Sequence, residues 1–528
     1  MSETVNLYGG GVVTCNIKVE GAVIPDTTDV HSIDVTFSVN RIATARVVIL
    51  DGDAASGNFD VSSSNTFVPG AELTIEAGYD TKNTAIFKGI IVSQNIKIDN
   101  ITGPTLEIVC KDEAVKMTVG RKSLTFAKKT DSEIITEILN SYSLEKKITA
   151  TSNKWPQMVQ YYTTDWDFML SRAEANGFIV SANNGKVFVV NPLEDKTSVL
   201  SLSYGESIYQ FNGDLNAIDQ IGKAKSSSWD YKTQSIVSGE SASDYAGAGN
   251  ISSKKLSEVV GLAEYQLKTP GTLNQDELSN WSKAQIIKSE LSKFSGEVTC
   301  QGNHLVLPGN FITLKNLGAR FNGDHFVSKV THTIAEGNWM TEIGFGLSSE
   351  WFTESHDVMA APAAGLLPGV NGLFTATVKK MYEDPENQFR VLVDIPMFDP
   401  KGEGLWARLG NFYASNNAGA FFFPEVGDEV IVGFLNEDPR FPIILGSLYS
   451  ADKLKPYEGL VPNEKNTLKA IVTKSGMQLS FDDEKKELVI ATPEKNTIRL
   501  SDAEKQISIK DQNSNSVVLN EDGIQPFI

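Results

Sequence analysis

The strongest pattern of apolar and polar positions lies at the C-terminal end, where it repeats every 19 residues. Leu479, Ile498 and Val517 are in phase, as are Phe481, Leu500 and Leu519, then Leu488 with Ile507, and Ile471 with Ile490 and Ile509. A fixed period of this length marks a repeated structural unit. Within each unit two short stretches alternate apolar and polar, such as Ile498-Arg499-Leu500 and Ile507-Ser508-Ile509, joined by polar connectors such as Asp482 to Glu487 and Ser501 to Gln506. Alternation with a period of two predicts strands with one apolar face and one face of charge and hydroxyl. About three such units make a narrow ribbon, and no helix or second sheet remains in 466–528 to cover it. An isolated ribbon of this kind is marginal in water, so copies of the chain are expected to cover its apolar face. A polar disordered tail would give the aliphatic positions no reason to recur.

Upstream the pattern is mostly β. Ile33 to Val39 alternates, Ala45 to Leu50 is β-branched, and Leu73 to Tyr79 alternates after a Pro69-Gly70 turn. Helices are predicted where the period changes. Thr130-Asp131-Ser132-Glu133 is a capping box ahead of a stripe of Ile135, Ile138, Leu139 and Tyr142. A second helix starts near Thr164 with acidic residues in its first turn, a stripe of Trp166, Met169, Leu170 and Ala173, and a stop at Gly177. Asn184-Gly185 then turns a hairpin. A third helix is expected from about Asn274 to Phe294, with Trp281, Ala284, Ile287, Leu291 and Phe294 on one side. Residues 224–256, rich in Ser, Gly and Ala with little periodicity, read as an exposed loop. Thr353 to Gly372, rich in Ala, Pro and Gly, reads as a linker. From Leu405 to Tyr449 short apolar runs, among them Ala420 to Phe423 and Glu429 to Phe434, flank the turn Pro424-Glu425-Val426-Gly427-Asp428. Strands at this density predict a small closed β-barrel, beginning with Phe374 to Lys380 and Phe389 to Ile395.

Composition narrows the function classes. A chain of 528 residues is expected to divide into several domains. The net charge of −19 argues against nucleic acid and anionic membranes as partners. In the barrel, from Leu366 to Ser450, six Lys and Arg stand against eleven Asp and Glu, so a nucleic-acid groove is not expected there either. Cys15, Cys110 and Cys300 are far apart and offer neither a disulfide framework nor metal-ligand spacing. The five histidines, His31, His304, His325, His332 and His356, form no His-x-His or HExxH pattern. Gly9-Gly10-Gly11 precedes a strand and lacks the Lys-Ser/Thr of a phosphate loop. No G-x-S-x-G elbow, signal-peptide pattern or long apolar span is present. No cofactor, metal or catalytic residue is therefore expected.

Two stretches carry a family resemblance. Trp166-Asp167-Phe168-Met169-Leu170 on a helix, then Ala175-Asn176-Gly177 and the Asn184-Gly185 hairpin, resembles the phage late-control D hub, as does the later region with Pro308-Gly309 and the strand from His325 to His332. The barrel resembles the OB-fold of central spikes in contractile injection systems, the Vgr-type and phage needle proteins. The matching residues include Trp406, Pro424, Gly427, Asp428, Pro442 and Gly446. The resemblance implies a mainly β chain with a few helices. Its parts would be a first hub β domain (1–127), a helix and hairpin region (128–210), a second hub β domain with the Ser/Gly-rich loop (211–365), an OB-fold (366–452) and a β-helix or β-prism needle (466–528). It further implies a non-enzymatic homotrimeric spike, assembled in the bacterial cytoplasm, that caps the inner tube and punctures the target envelope as part of an extracellular or secreted particle. Implied partners are inner tube and baseplate proteins, effector cargo and, since Gln525 to Ile528 carries no His-x-His, a separate PAAR-like tip protein. The compact size favours an extracellular, antifeeding-prophage-like or tailocin-like particle over type VI secretion. In the needle, Ile471, Leu479, Phe481, Leu488, Ile490, Ile498, Leu500, Ile507, Ile509, Val517 and Leu519 would form the trimer core. A glycan-binding or peptidoglycan-degrading baseplate component is the alternative.

Overall fold

The computed structural model describes residues 3–4, 11–101, 103–354, 358–398, 403–458 and 460–527. Gly9, Gly10, His356 and Ile528 lie outside the described residues. The fold is mainly β with a few helices and a closed five-stranded barrel. Residues 1–360 form one compact unit and 361–528 another.

In the first unit, Val30–Ser38 pairs on one side with Thr44–Leu50 and on the other with the long strand Gly323–Ala335. One sheet thus joins strands almost 300 residues apart in sequence, and the Thr333 hydroxyl reinforces the junction by donating to Asp34 Oδ1 at 2.9 Å. The three largest of its apolar cores lie among strands 13–111 with Trp339, around the first two helices, and among strands 198–345.

His332 belongs to the first junction. It is buried between Phe37 and Trp339, and its Nδ1 lies 3.0 Å from Thr341 Oγ1. Burial lowers its pKa from 6.5 to about 4. The folded chain therefore keeps this imidazole neutral while the unfolded chain protonates it, so stability present above pH 6.5 is lost as pH falls toward 4. The expected loss is about 3 kcal/mol. Urea midpoints measured from pH 7 to pH 4.5 should fall, and His332→Gln should flatten that slope.

The helices begin as their caps dictate. Helix α1 (Asp131–Asn140) opens on the capping box, with Thr130 Oγ1 accepting from the Glu133 N–H and Glu133 Oε2 accepting from the Thr130 N–H. Helix α2 (Asp165–Ala175) is capped by Thr164 and stopped by Gly177, whose φ of 70° suits glycine. Tyr142 lies past the end of α1, where its hydroxyl donates to Asp165 Oδ2 at 2.5 Å.

The expected loop at 224–256 is instead ordered structure. Lys223–Asp230 pairs with Ser235–Ala242 and with Tyr265–Thr269, and helix α3 (Ser253–Val260) follows the hairpin. Its small residues serve close packing under helix α4 (Gln275–Leu291). A Cβ at Gly239 would stand 2.3 Å from the Ser279 nitrogen. The Ser226 hydroxyl donates to the Leu278 carbonyl at 2.6 Å, so the serines satisfy one another and the helix rather than water. Residues 243–251 are held by the end of α4 as well. Glu290 accepts from the Ser243 hydroxyl and the Asp244 and Tyr245 N–H groups, and Lys293, its pKa pushed down by burial to about 8, donates to the carbonyls of Ala246, Ala248 and Ile251. The second half of α4 is buried nearly all round, which erases a one-sided stripe; Phe294 lies in the following strand.

The barrel runs Phe374–Lys380, Val391–Asp394, Leu405–Leu409, Pro442–Leu448 and Glu429–Phe434, which closes onto the first strand. Val378, Val391, Val393, Ala407, Val430, Val432 and Ile444 fill it. The run Ala420 to Phe423 is not a barrel strand: it follows a small hairpin, Ala414–Ser415 with Ala418–Gly419, and leaves Phe421 and Phe422 exposed.

Candidate functional site

After the barrel come seven antiparallel strands in simple sequence order, from Leu468–Val472 to Gly523–Phe527. Each of the seven has five residues, so two strands and two turns make the 19-residue period. The turns need left-handed residues, supplied at Lys486, Lys495, Lys505 and Ser514. Asp482 closes its turn by accepting from backbone N–H groups, and Asp511 by accepting from the Asn515 amide and from backbone N–H groups, which holds both carboxyls below their ordinary range.

Register places the recurring apolar residues in two ladders. Ile471 faces Leu479, which faces Ile490, then Ile498, Ile509 and Val517. Phe481 faces Leu488, then Leu500, Ile507 and Leu519. Directly paired residues of an antiparallel sheet share a face, and residues two apart in a strand do too. All eleven therefore lie on one side. That side is open in the single chain: Phe481, Ile490, Ile498, Leu500, Ile507, Ile509 and Leu519 are each 38–48% exposed. Across seven strands at about 4.8 Å spacing this is an apolar strip roughly 30 Å long. Sequence reading missed the last rungs, Ile524 and Pro526, paired with Leu519 and Val517; the hairpin turn at Asn520 to Gly523 was the signal.

The reverse face carries Ser480, Arg499, Ser508 and Gln525 among smaller apolar residues. Arg499 is bracketed by Glu487 at 2.5 Å and Glu504 at 2.7 Å, which raises its pKa further and holds the Glu504 carboxyl below its usual range.

The barrel residues singled out from the sequence do structural work. Pro424 and Pro442 are buried and Trp406 is half-buried opposite Leu392. Gly427, at φ 95°, donates to the Val378 carbonyl, and Asp428 Oδ2 accepts from the Glu425 N–H at 2.8 Å, which closes the turn between strands. Gly446 faces Ile431 at a bulge. Among the described residues, no group of three His, Cys, Asp or Glu is placed to hold a metal ion, and no helix is long and apolar enough to cross a membrane.

Residues 9–336, well over half of the chain, match the family described as the Alg8 N-terminal domain. The chain belongs to that family. Residues 374–449 match the type VI secretion system/phage-baseplate injector OB domain. This family assignment is joined by curated relatives. The type VI secretion system spike protein VgrG1a of Pseudomonas aeruginosa is 28% identical over 174 residues, covering 31% of this chain and 27% of the relative. The actin cross-linking toxin VgrG1 of Vibrio cholerae is 24% identical over 404 residues, covering 70% of this chain and 35% of the relative. The 43 kDa tail protein of prophage MuSo2 from Shewanella oneidensis superposes with a TM-score of 0.49 at 10% identity, covering 64% of this chain and 99% of that one. The chain thus spans about a quarter to a third of the length of these curated relatives. The Vgr-type resemblance carried by Trp406, Pro424, Gly427, Asp428, Pro442 and Gly446 is sound, since these residues fall inside the matched injector domain.

Proposed function

We propose that this chain is the central spike of a contractile, phage-tail-like injection machine, working as a homotrimer that caps the inner tube and punctures the target envelope. The observation that carries the reading is the open apolar face of the C-terminal sheet, two ladders that the described residues of their own unit leave exposed. Burying each partly exposed apolar side chain is worth about 1 kcal/mol, and eight of the eleven are at least 38% exposed, so covering them is a strong drive to associate. Three copies, the number the spike family implies, would turn these faces inward and leave the bracketed Arg499 and the turn carboxylates outside. Within each sheet the hydrogen bonds run along the line of the strand stack, so an axial push would be carried by the ladder and by the dry core together. Sedimentation of the full-length protein should give a particle three times the 57.5 kDa chain mass. A monomer at micromolar concentration would overturn the reading.

The work in this reading is mechanical. One relative is named a toxin, and the chain spans only 35% of it. Purified spike should therefore release no soluble fragments from peptidoglycan, and release abolished by a single carboxylate substitution would refute the mechanical account. The partners are the inner tube, the baseplate, a PAAR-like tip protein and carried effector, with membrane contact limited to puncture and no nucleic acid bound. Assembly takes place in the bacterial cytoplasm, and the finished particle acts outside it.

A further inference from the structure

Three of the seven tryptophans line a single cleft in the first unit. Trp155 comes from the strand Lys154–Thr163, Trp281 from helix α4, and Trp351 from the segment that follows the last strand of the unit. Leu267 and Leu273 complete the apolar wall, and the cleft holds about 550 Å³. That is within the roughly 300–1,000 Å³ typical of small-ligand sites. None of the three indoles is fully buried. Two are held by neighbouring cations: the Arg172 guanidinium, itself part of the cleft wall, lies 5.0 Å from the Trp155 ring, and Lys288 Nζ lies 5.4 Å from the Trp351 ring, whose Nε1 donates to Gln285 Oε1 at 2.7 Å. Aromatic platforms held in this way need no reordering when a ligand arrives.

The charges around the cleft are already committed. Asp131 takes a two-pronged pair of bonds from Arg172, at 2.7 and 3.0 Å, and a third from Asn176. Glu174 is shared by Lys288 and the Phe352 N–H, Glu277 by Asn153 and the Asn274 N–H, and Glu354 accepts from the Trp351 N–H. Four carboxylates against the one guanidinium in the wall would repel an anion, and the same carboxylates are spent on internal hydrogen bonds, which weakens the case for a cation. What remains unengaged is neutral: among the described residues the buried Trp155 Nε1, the Asn280 amide and the Thr353 hydroxyl have no hydrogen-bond partner, and no ring or cation stacks on Trp281.

We propose that this cleft binds a neutral saccharide of about two rings. The apolar C–H face of a sugar ring matches an indole platform, and its hydroxyls match a free amide and a free hydroxyl at the rim, a combination that neither a lipid nor an ion would use in full. The site gives the first unit a recognition role beside the mechanical one, and it does not depend on the trimer.

The test uses the full-length protein. Tryptophan fluorescence is followed while cellobiose, N,N′-diacetylchitobiose and maltose are each titrated to about 50 mM, far beyond the millimolar range in which a weak site is half-filled. At least one is expected to give a saturable change with saturation transfer onto its ring protons. Trp281→Ala and Asn280→Ala should each weaken that binding about tenfold, with the secondary structure and thermal midpoint of the native protein. Asn280→Ala removes only a half-buried amide, so it reports even where the tryptophan variant fails to fold. Absence of a saturable response to all three sugars, a response unchanged in Asn280→Ala, or saturable binding of a tetralysine peptide in their place would overturn the proposal.

Discussion

The Leu500→Asp, Ile507→Asp double variant is expected to sediment as a folded monomer. The two side chains face each other across neighbouring strands and are 38% and 40% exposed in the single chain. In the single chain aspartate there meets no burial cost, because both positions reach water, and the facing like charges cost the sheet only about 0.2–1 kcal/mol. In an assembly with the apolar faces turned inward, the same carboxylates would be stripped of water without partners, at a cost of several kcal/mol each. The forfeited aliphatic burial adds about 1–2 kcal/mol per site. Six such groups per trimer should shift association by many orders of magnitude. Mass by sedimentation and secondary structure by circular dichroism check the two halves of the expectation. A trimer as stable as the native one would place these ladders outside the interface and refute the needle arrangement.

A large loss of folding stability is expected in the first unit from Lys288→Met. Lys288 Nζ lies 2.5 Å from Glu174 Oε1, and the two side chains are only 8% and 9% exposed. The second carboxylate oxygen of Glu174 accepts from the Phe352 N–H at 2.7 Å, so this pair ties α2, α4 and the segment carrying Trp351 together. Removing the lysine leaves a buried carboxylate without its counter-charge, which typically costs about 3–5 kcal/mol. Adding Glu174→Gln should recover most of that loss, since the amide keeps the acceptor for Phe352 and carries no charge. Urea midpoints of the two variants measure the difference. Equal destabilisation by the single and the double variant would mean that packing, not charge, sets the cost.

How far the sequence could be read depended on the range of the interactions involved. The capping box at Thr130 involves residues three apart and forms as its spacing predicts, and the structure shows a second one, equally local, between Asn274 and Glu277. The Asn184-Gly185 turn carries its own left-handed preference and joins Ile179–Asn183 to Lys186–Val190. Residues 224–256 were misleading because Ser, Gly and Ala have two uses. They suit a solvated loop, and they equally suit a sheet on which a helix sits close, as Gly239 under Ser279 demonstrates. Ala420 to Phe423 failed for a related reason: four apolar residues predict burial of a strand, yet the barrel closes through Glu429–Phe434 and leaves Phe421 78% exposed. The tryptophan cleft gave no signal at all, since Trp155, Trp281 and Trp351 share no motif and meet only through the packing of three separate elements.

The C-terminal sheet marks the division most sharply. The 19-residue recurrence by itself determined that eleven apolar residues share one face, because pleated strands alternate and each short turn returns the chain beside the strand it has just left. Every contact in that ladder is local, so the sequence contains its register. The pairing of Val30–Ser38 with Gly323–Ala335, the helix seated on Gly239 and the meeting of the tryptophans belong to the tertiary structure alone. Those contacts join segments tens to hundreds of residues apart, where partner and register are chosen by the shape and volume of the whole core and no local pattern encodes the choice.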